Sequence, residues 1–291
     1  MMHTEPWPWS LPVARRADFV RGLRSVLEQA EGLEVAGWET SCRLAPSGLR
    51  PDRLLLGFSP VGVAPRRLQA LPAALGMPTA LAVAFAAAQG RATHILLALE
   101  LDHTDLEIKA YLSFGSRFGR VGSTLEADLL PAMRGYKWHP SDPIRTRTSD
   151  YCRLPVAARQ LQTTLEQADG VPPAVVPAYG VAAFAVREAL ARRPYWYECD
   201  FLQVTEQGSE RSSCCVRLYE SGLKVVDLQP AIEALQKTWL LSDAQHCIER
   251  MGQRPLGWMA VGVDRQREPF VTLYCEATRA DARQALSFGT D

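Results

Sequence analysis

The sequence predicts an α+β fold: a ten-stranded antiparallel β-barrel with a polar lumen, surrounded by a ring of α-helices. Three observations lead there. Helical and hairpin patterns alternate about five times along the 291 residues. No low-complexity linker interrupts them, so residues 1–291 read as one domain, with an N-terminal extension at 1–12 and a C-terminal tail at 277–291. The second strands of several hairpins carry one apolar face and one polar face, the polar one bearing lysine or arginine with tyrosine.

Residues Ala14 to Glu31 fit an amphipathic helix, since Phe19, Leu23, Val26, Leu27 and Ala30 share a stripe. Val35 to Leu44, a turn signal at Pro46-Ser47-Gly48, and Arg53 to Phe58 read as a first hairpin. Helical segments follow over Pro65 to Gln89. A second hairpin takes His94 to Leu101 and Leu106 to Phe114, turning at Asp102 to Asp105. A helix fits Thr124 to Met133. Tyr136 to His139, a proline-rich turn from Pro140 to Pro143, and Ile144 to Tyr151 fit a third hairpin. Helices fit Pro155 to Ala168 and Val181 to Arg192. A fourth hairpin takes Tyr195 to Thr205 and Ser213 to Tyr219, turning at Gln207-Gly208-Ser209. Helices then fit Leu228 to Leu240 and Ser242 to Gly252, and the last hairpin pairs Gly257 to Val263 with Phe270 to Glu276.

Composition narrows the function classes. The formal net charge is 0, with 32 basic and 32 acidic residues. A general nucleic-acid binder usually carries net positive charge. Nucleic acid is therefore not expected as a partner, and any basic site is local and suited to a small anion. The seven cysteines form no CxxC pair and several lie in apolar runs, which points to reduced thiols in the cytosol rather than disulfides or zinc. Met1 to Ser10 lacks the pattern of a signal peptide. Leu71 to Ala88 is apolar but interrupted by Pro72 and Pro78, so it reads as a buried helix rather than a membrane span. A cytoplasmic, monomeric protein with no membrane partner is expected. The five histidines are scattered, which speaks against a metal site or a catalytic triad.

The strand faces carry the functional signal. Over Leu106 to Ser113 one face is Leu, Ile, Ala, Leu and the other is Glu107, Lys109, Tyr111, Ser113. Cys214, Val216 and Leu218 oppose Ser213, Cys215, Arg217 and Tyr219. Val271, Leu273 and Cys275 oppose Thr272, Tyr274 and Glu276, while Arg53 lies opposite Leu54, Leu56 and Phe58. Such faces fit a half-solvated open sheet as well as a closed barrel. Closure removes exposed edges. The recurrence Lys109-Ala110-Tyr111, Arg217-Leu218-Tyr219 and Thr272-Leu273-Tyr274 favours an enclosed space that is cationic and aromatic at once.

These residues resemble the ABBA-fold prenyltransferases, and within them the cyanobactin-type peptide prenyltransferases. The resemblance runs over roughly Val35 to Glu276, with its best stretch from Glu39-Thr40-Ser41-Cys42-Arg43 through Asp52 to Leu56, and further matches at Leu106 to Tyr111 and Val216 to Asp227. It implies transfer of a prenyl group, dimethylallyl or longer, from an allylic diphosphate to a nucleophilic side chain of a ribosomally made peptide, cyclic or linear. By that resemblance Glu39 is the general base or orienter of the nucleophile. Arg53, Lys109, Arg147 and Arg217 bind the diphosphate, while Tyr111, Tyr219 and Tyr274 shield the allylic cation. Arg145 is a second candidate beside Arg147 in the third hairpin, and Gly57 beside Arg53 is a candidate for setting pocket depth. No DDxxD string is present, so magnesium is expected to be held mainly by the diphosphate.

Other readings stand beside these. Glu39 fits a strand-edge carboxylate, the cations fit ion pairs with Glu107 or Glu276, and tyrosine is an ordinary β-former. The acceptor could instead be a small aromatic metabolite, or the barrel could hold an anionic ligand without chemistry.

Overall fold

The structure is a computed structural model and describes residues 13–101, 105–115, 131–154, 156–194, 200–241 and 244–287. Its strands are β1 (Val35–Ala45), β2 (Gly48–Phe58), β3 (His94–Leu101), β4 (Leu106–Ser113), β5 (Pro131–His139), β6 (Asp142–Leu154), β7 (Phe201–Glu206), β8 (Ser212–Arg217), β9 (Leu256–Val263) and β10 (Pro269–Glu276). The helices are α1 (Val13–Gln29), α2 (Pro65–Ala74), α3 (Thr79–Gln89), α4 (Ala158–Gln167), α5 (Val176–Arg192), α6 (Gln229–Trp239), α7 (Ala244–Met251) and α8 (Arg279–Ser287). The ten strands close into a barrel in the order β1-β10-β9-β8-β7-β6-β5-β4-β3-β2. The pairs β1–β10, β10–β9, β2–β3, β3–β4, β4–β5, β5–β6, β7–β8 and β8–β9 are antiparallel. The predicted barrel is therefore present.

Within the barrel the chain condenses into two compact units, residues 13–38, 53–153 and 278–287 in one, and residues 39–52 and 154–277 in the other. In the first, α1 packs on β3 and β4 and buries Phe19, Leu23 and Val26 of the predicted stripe, with Val20 beside them; Ala30 just past its end is buried and Leu27 is half-buried. The outer face of the sheet is apolar: Leu54, Leu56, Ile95, Leu97, Leu99, Ala110 and Leu112 are all fully buried. Two large aromatics on β5 are tied to helix carbonyls. Trp138 donates its indole N–H to Leu75 O at 3.0 Å, and Tyr136 donates its hydroxyl to Ala84 O at 3.3 Å. Tyr136 also meets the Phe85 ring edge-on, with centroids 5.5 Å apart.

In the second unit α5 packs on β9 and β10. Cys42, Val216, Met259, Val261, Val271 and Leu273 form one buried cluster with Ala178, Ala182, Ala185, Val186 and Ala189. The alanine-rich stripe of α5 lets the helix lie close to the sheet.

Most predicted elements are present, with shifted ends. The third hairpin exists as β5 and β6, turning at Pro140-Ser141 rather than across Pro140 to Pro143. The predicted helix over Thr124 to Met133 is corrected at its end: Pro131 and Met133 pair with Cys152 and Tyr151 as β5, and residues 124–130 lie outside the described residues. The strand predicted up to Tyr219 stops at Arg217. Leu218 N donates to Gly257 O, Ser221 N donates to Leu218 O, and Gly222 at φ +69° completes the turn, so Tyr219 opens a 3₁₀ turn. The tail after Glu276 carries α8. Residues 1–12, with Trp7-Pro8-Trp9, and residues 195–199 lie outside the described residues. Among the described residues no helix is long and apolar enough to cross a membrane.

Gly262, on β9, has φ +148°, and a Cβ there would lie 2.3 Å from Ser212 O on the neighbouring strand. Backbone is the obstacle, so the neighbour cannot rotate away. Gly262→Ala is expected to cost at least about 2 kcal/mol. A fall in the urea midpoint at unchanged slope is the readout, and an unchanged midpoint contradicts the packing described.

Candidate functional site

Side-chain alternation gives the barrel an inner face opposite the helix-packed one, and each unit contributes a distinct group of residues to it.

In the first unit the inner face is cationic. Lys109 on β4 stands directly opposite Lys137 on β5, and Lys137 stands directly opposite Arg147 on β6. Arg53 on β2 faces Glu100 on β3, which faces Glu107 on β4. Arg53, Lys109, Lys137, Glu107 and His139 are all buried, Lys137 to 2% exposure. Lys109 Nζ reaches Glu107 Oε2 at 2.9 Å and also pairs with Glu100. Arg147 pairs with the same Glu107 carboxylate. His139 Nε2 lies 3.6 Å from Glu107 Oε1, and its Nδ1 lies 3.9 Å from Asp105 Oδ2. Among the described residues, Arg53, Lys109, Lys137 and Arg147 thus share a face with the carboxylates Glu100 and Glu107. Cations outnumber acids in this group, which suits a polyvalent anion.

Aromatic rings adjoin this row. The Arg53 guanidinium lies 6.0 Å from the Tyr111 ring centroid. Tyr111 meets Tyr151 edge-on at 6.1 Å. Tyr111 faces Gly135 across the β4–β5 pair, and a Cβ on Gly135 would fall 2.8 Å from Tyr111 Cε1. The glycine therefore seats the ring against bare backbone.

In the second unit the inner face carries Glu39. Its Oε1 accepts a 2.6 Å hydrogen bond from the Tyr219 hydroxyl, and Glu39 stands directly opposite Glu276 across the β1–β10 pair. Burial holds the Tyr219 phenol far above its ordinary range, and the Glu39 carboxylate and its hydrogen bond add to this, with Glu276 contributing further. The phenol therefore keeps its proton and presents it to Glu39. A Cβ on Gly257 would fall 2.4 Å from Tyr219 Cζ, so a glycine again seats the ring. Tyr274 lies in the next row, opposite Ser41 and Trp258.

Arg217 occupies the end of β8, half-exposed. It pairs with Glu220 at 2.5 Å and Asp200 at 3.8 Å, and its guanidinium lies 5.9 Å from the Tyr219 ring centroid. Arg53, Lys109, Tyr111 and Arg147 thus come together in the first unit, while Glu39, Tyr219, Tyr274 and Arg217 belong to the second. Arg145 is exposed near the start of β6. Sequence reasoning missed Lys137, Tyr151 and His139. The signal for Lys137 and His139 was their alternation with Tyr136 and Trp138, readable only once β5 is known to be a strand. Burial, with Cys215 adjacent, pushes the Cys214 thiol up to about 12, so this cysteine is a packing residue rather than a nucleophile.

No family model matches the sequence, and no curated protein matches it at a significant level. Among solved structures, the chain is similar to the 5-dimethylallyltryptophan synthase from Streptomyces coelicolor, at 13% sequence identity and a TM-score of 0.53, covering 96% of this chain and 95% of that one. It is also similar to the NotF prenyltransferase, at 11% identity and a TM-score of 0.51, covering 82% of this chain and 80% of that one. What is shared at this identity is the ABBA barrel fold.

The Tyr219 phenol gives a pH signature. Its folded pKa lies above the unfolded value of about 10, so its contribution to stability is whole below pH ~10 and is lost as the pH rises further. In Tyr219→Phe the stability curve between pH 9 and 11 is expected to be flatter than in the parent. Equal slopes in urea titrations at those pH values contradict the assignment.

Proposed function

We propose that this protein transfers a prenyl group, dimethylallyl or longer, from an allylic diphosphate to a nucleophilic acceptor. The observation that carries this reading is the buried row Lys109–Lys137–Arg147 with Arg53, flanked by Tyr111 and Tyr151, on the inner face of a barrel whose fold is shared with prenyltransferases.

Each group has a role. When the allylic C–O bond breaks, its electron pair moves to the diphosphate oxygen. Fixed lysine and arginine side chains stabilise that charge where water is excluded. Tyr111 and Tyr151 offer ring faces to the positive allylic carbon and keep water from it. The acceptor bonds that carbon and gives up a proton, which Glu39 receives while Tyr219 holds its carboxylate in place. Tyr274 is assigned to shielding, and Arg217 to the diphosphate, as its cationic character allows.

Magnesium fits this chemistry through the donor rather than through a protein cage. Among the described residues no group of three or more His, Cys, Asp or Glu side chains could hold a metal ion. Magnesium carried on the diphosphate supplies charge neutralisation to the leaving group.

The acceptor placed first is a side chain of a ribosomally made cyclic peptide, on the sequence resemblance alone. The fold shared with a protein named as a 5-dimethylallyltryptophan synthase favours a second reading, a small aromatic metabolite. The protein is placed in the cytosol as a monomer. Among the described residues, Cys42, Cys152, Cys214, Cys215 and Cys275 are in no disulfide, which supports a reducing compartment.

Incubation with dimethylallyl, geranyl or farnesyl diphosphate, magnesium and a panel of cyclic peptides and indoles tests the reading. Pyrophosphate release and a prenylated product by mass spectrometry are expected, with release lost in Arg53→Ala and Lys109→Ala. Glu39→Gln is expected to slow transfer about 10²–10⁴-fold while pyrophosphate still binds. No release with any donor sinks the enzyme reading, and binding without release leaves an anion-binding barrel in its place.

A further inference from the structure

The inner face of the first unit contains a group that a diphosphate site does not need, the Glu107 carboxylate. Its side chain is 6% exposed, and it takes the Arg147 guanidinium and, at 2.9 Å, the Lys109 ammonium. These are two of the cations assigned above to the donor. We propose that Glu107 is an internal anion that occupies the diphosphate's place in the ligand-free protein and sets the site's affinity for the donor. This rests on the reading of the cationic row as the diphosphate site.

The case begins with repulsion. Lys109, Lys137 and Arg147 stand directly opposite one another on three adjacent strands. Like charges at such positions repel, and burial weakens the screening that water would give. A carboxylate between them offsets that repulsion with the charge-assisted bonds a phosphate oxygen would otherwise accept. An arriving diphosphate competes for those bonds and is itself repelled by the carboxylate. When the cations turn away, the nearest ring nitrogen is His139 Nε2, 3.6 Å from Glu107 Oε1. On the ring's other side Asp105 Oδ2 lies 3.9 Å from Nδ1. Glu100 is the contrasting acid. It pairs with the same Lys109, but its side chain is 33% exposed, so solvent screens its charge.

The trade is stability against affinity, and it is read with inorganic pyrophosphate alone. Calorimetric titration of the wild type, Glu107→Gln, Glu107→Asp and Glu100→Gln, with thermal melts at each pyrophosphate concentration, is the experiment. Glu107→Gln is expected to melt lower than wild type without ligand, to bind pyrophosphate at least about tenfold more tightly, and to gain more in melting temperature on binding. Glu100→Gln is expected to show a smaller gain in affinity. Glu107→Asp keeps the charge with a shorter reach, so its affinity should fall between wild type and Glu107→Gln. Should Glu107→Gln fail to fold, an aspartate variant no tighter than wild type overturns the proposal. Pyrophosphate binding to wild type with no tighter binding by Glu107→Gln overturns it alone. Binding by neither protein overturns the diphosphate site itself, and binding only by Glu107→Gln supports both.

Discussion

The direction in which Lys137 points is decided on the far side of its strand. Tyr136 and Trp138 are fully buried against α2 and α3, and each spends its polar atom on a helix carbonyl. A slip of one residue would turn both rings inward and part their O–H and N–H donors from those carbonyls. The parity of β5 is thereby fixed, and with it the inward position of Lys137 and His139. The register with β4 and β6 then places Lys137 between Lys109 and Arg147. The apolar outer face thus dictates that three cations crowd together, and the acids around them follow from that crowding.

The two units use the same small device beside chemically different groups. Gly135 lets the Tyr111 ring lie on the backbone next to Arg53 and Lys109, and Gly257 does the same for Tyr219 next to Glu39. A strand interior loses stability with glycine, so a glycine there is explained by what lies against it. In one case the ring abuts a cationic row. In the other its hydroxyl donates to a carboxylate, which orients the carboxylate without adding charge. That difference separates a surface suited to an anion from one suited to accepting a proton.

The faces of Lys109, Tyr111 and Tyr274 were legible in the sequence because period-2 alternation is strong where the outer face is aliphatic. The barrel was legible because five hairpin patterns with intervening helices leave few other ways to hide edges. β5 was legible only in its last residues, Tyr136 to His139, since Pro131 to Met133 before them read as the end of a helix. Tyr219 was read as a strand residue because alternation carries no signal for the turn at Leu218, which depends on the distant Gly257 carbonyl. Glu107 was weighed only as an ion-pair partner. Alternation tells which face a side chain occupies, not which neighbour it meets, so its shared hold on Lys109 and Arg147 needed the strand register.

The chain as a whole is neutral, so its field at a distance is weak, and on the proposed reading an anion is captured by the local cations rather than steered from far away. That suits a reaction in which charge grows on the leaving group. An allylic diphosphate ester carries less negative charge than the diphosphate it releases. For the proposed reaction, a wall richer in cations than in carboxylates would bind the second more strongly than the first, and the difference would develop as the C–O bond opens. A wall with no acids would hold ester and product alike too tightly to turn over. On the proposed reading, the carboxylates among the cations keep ground-state binding modest, so that more of the attraction is left for the charge that forms during the reaction.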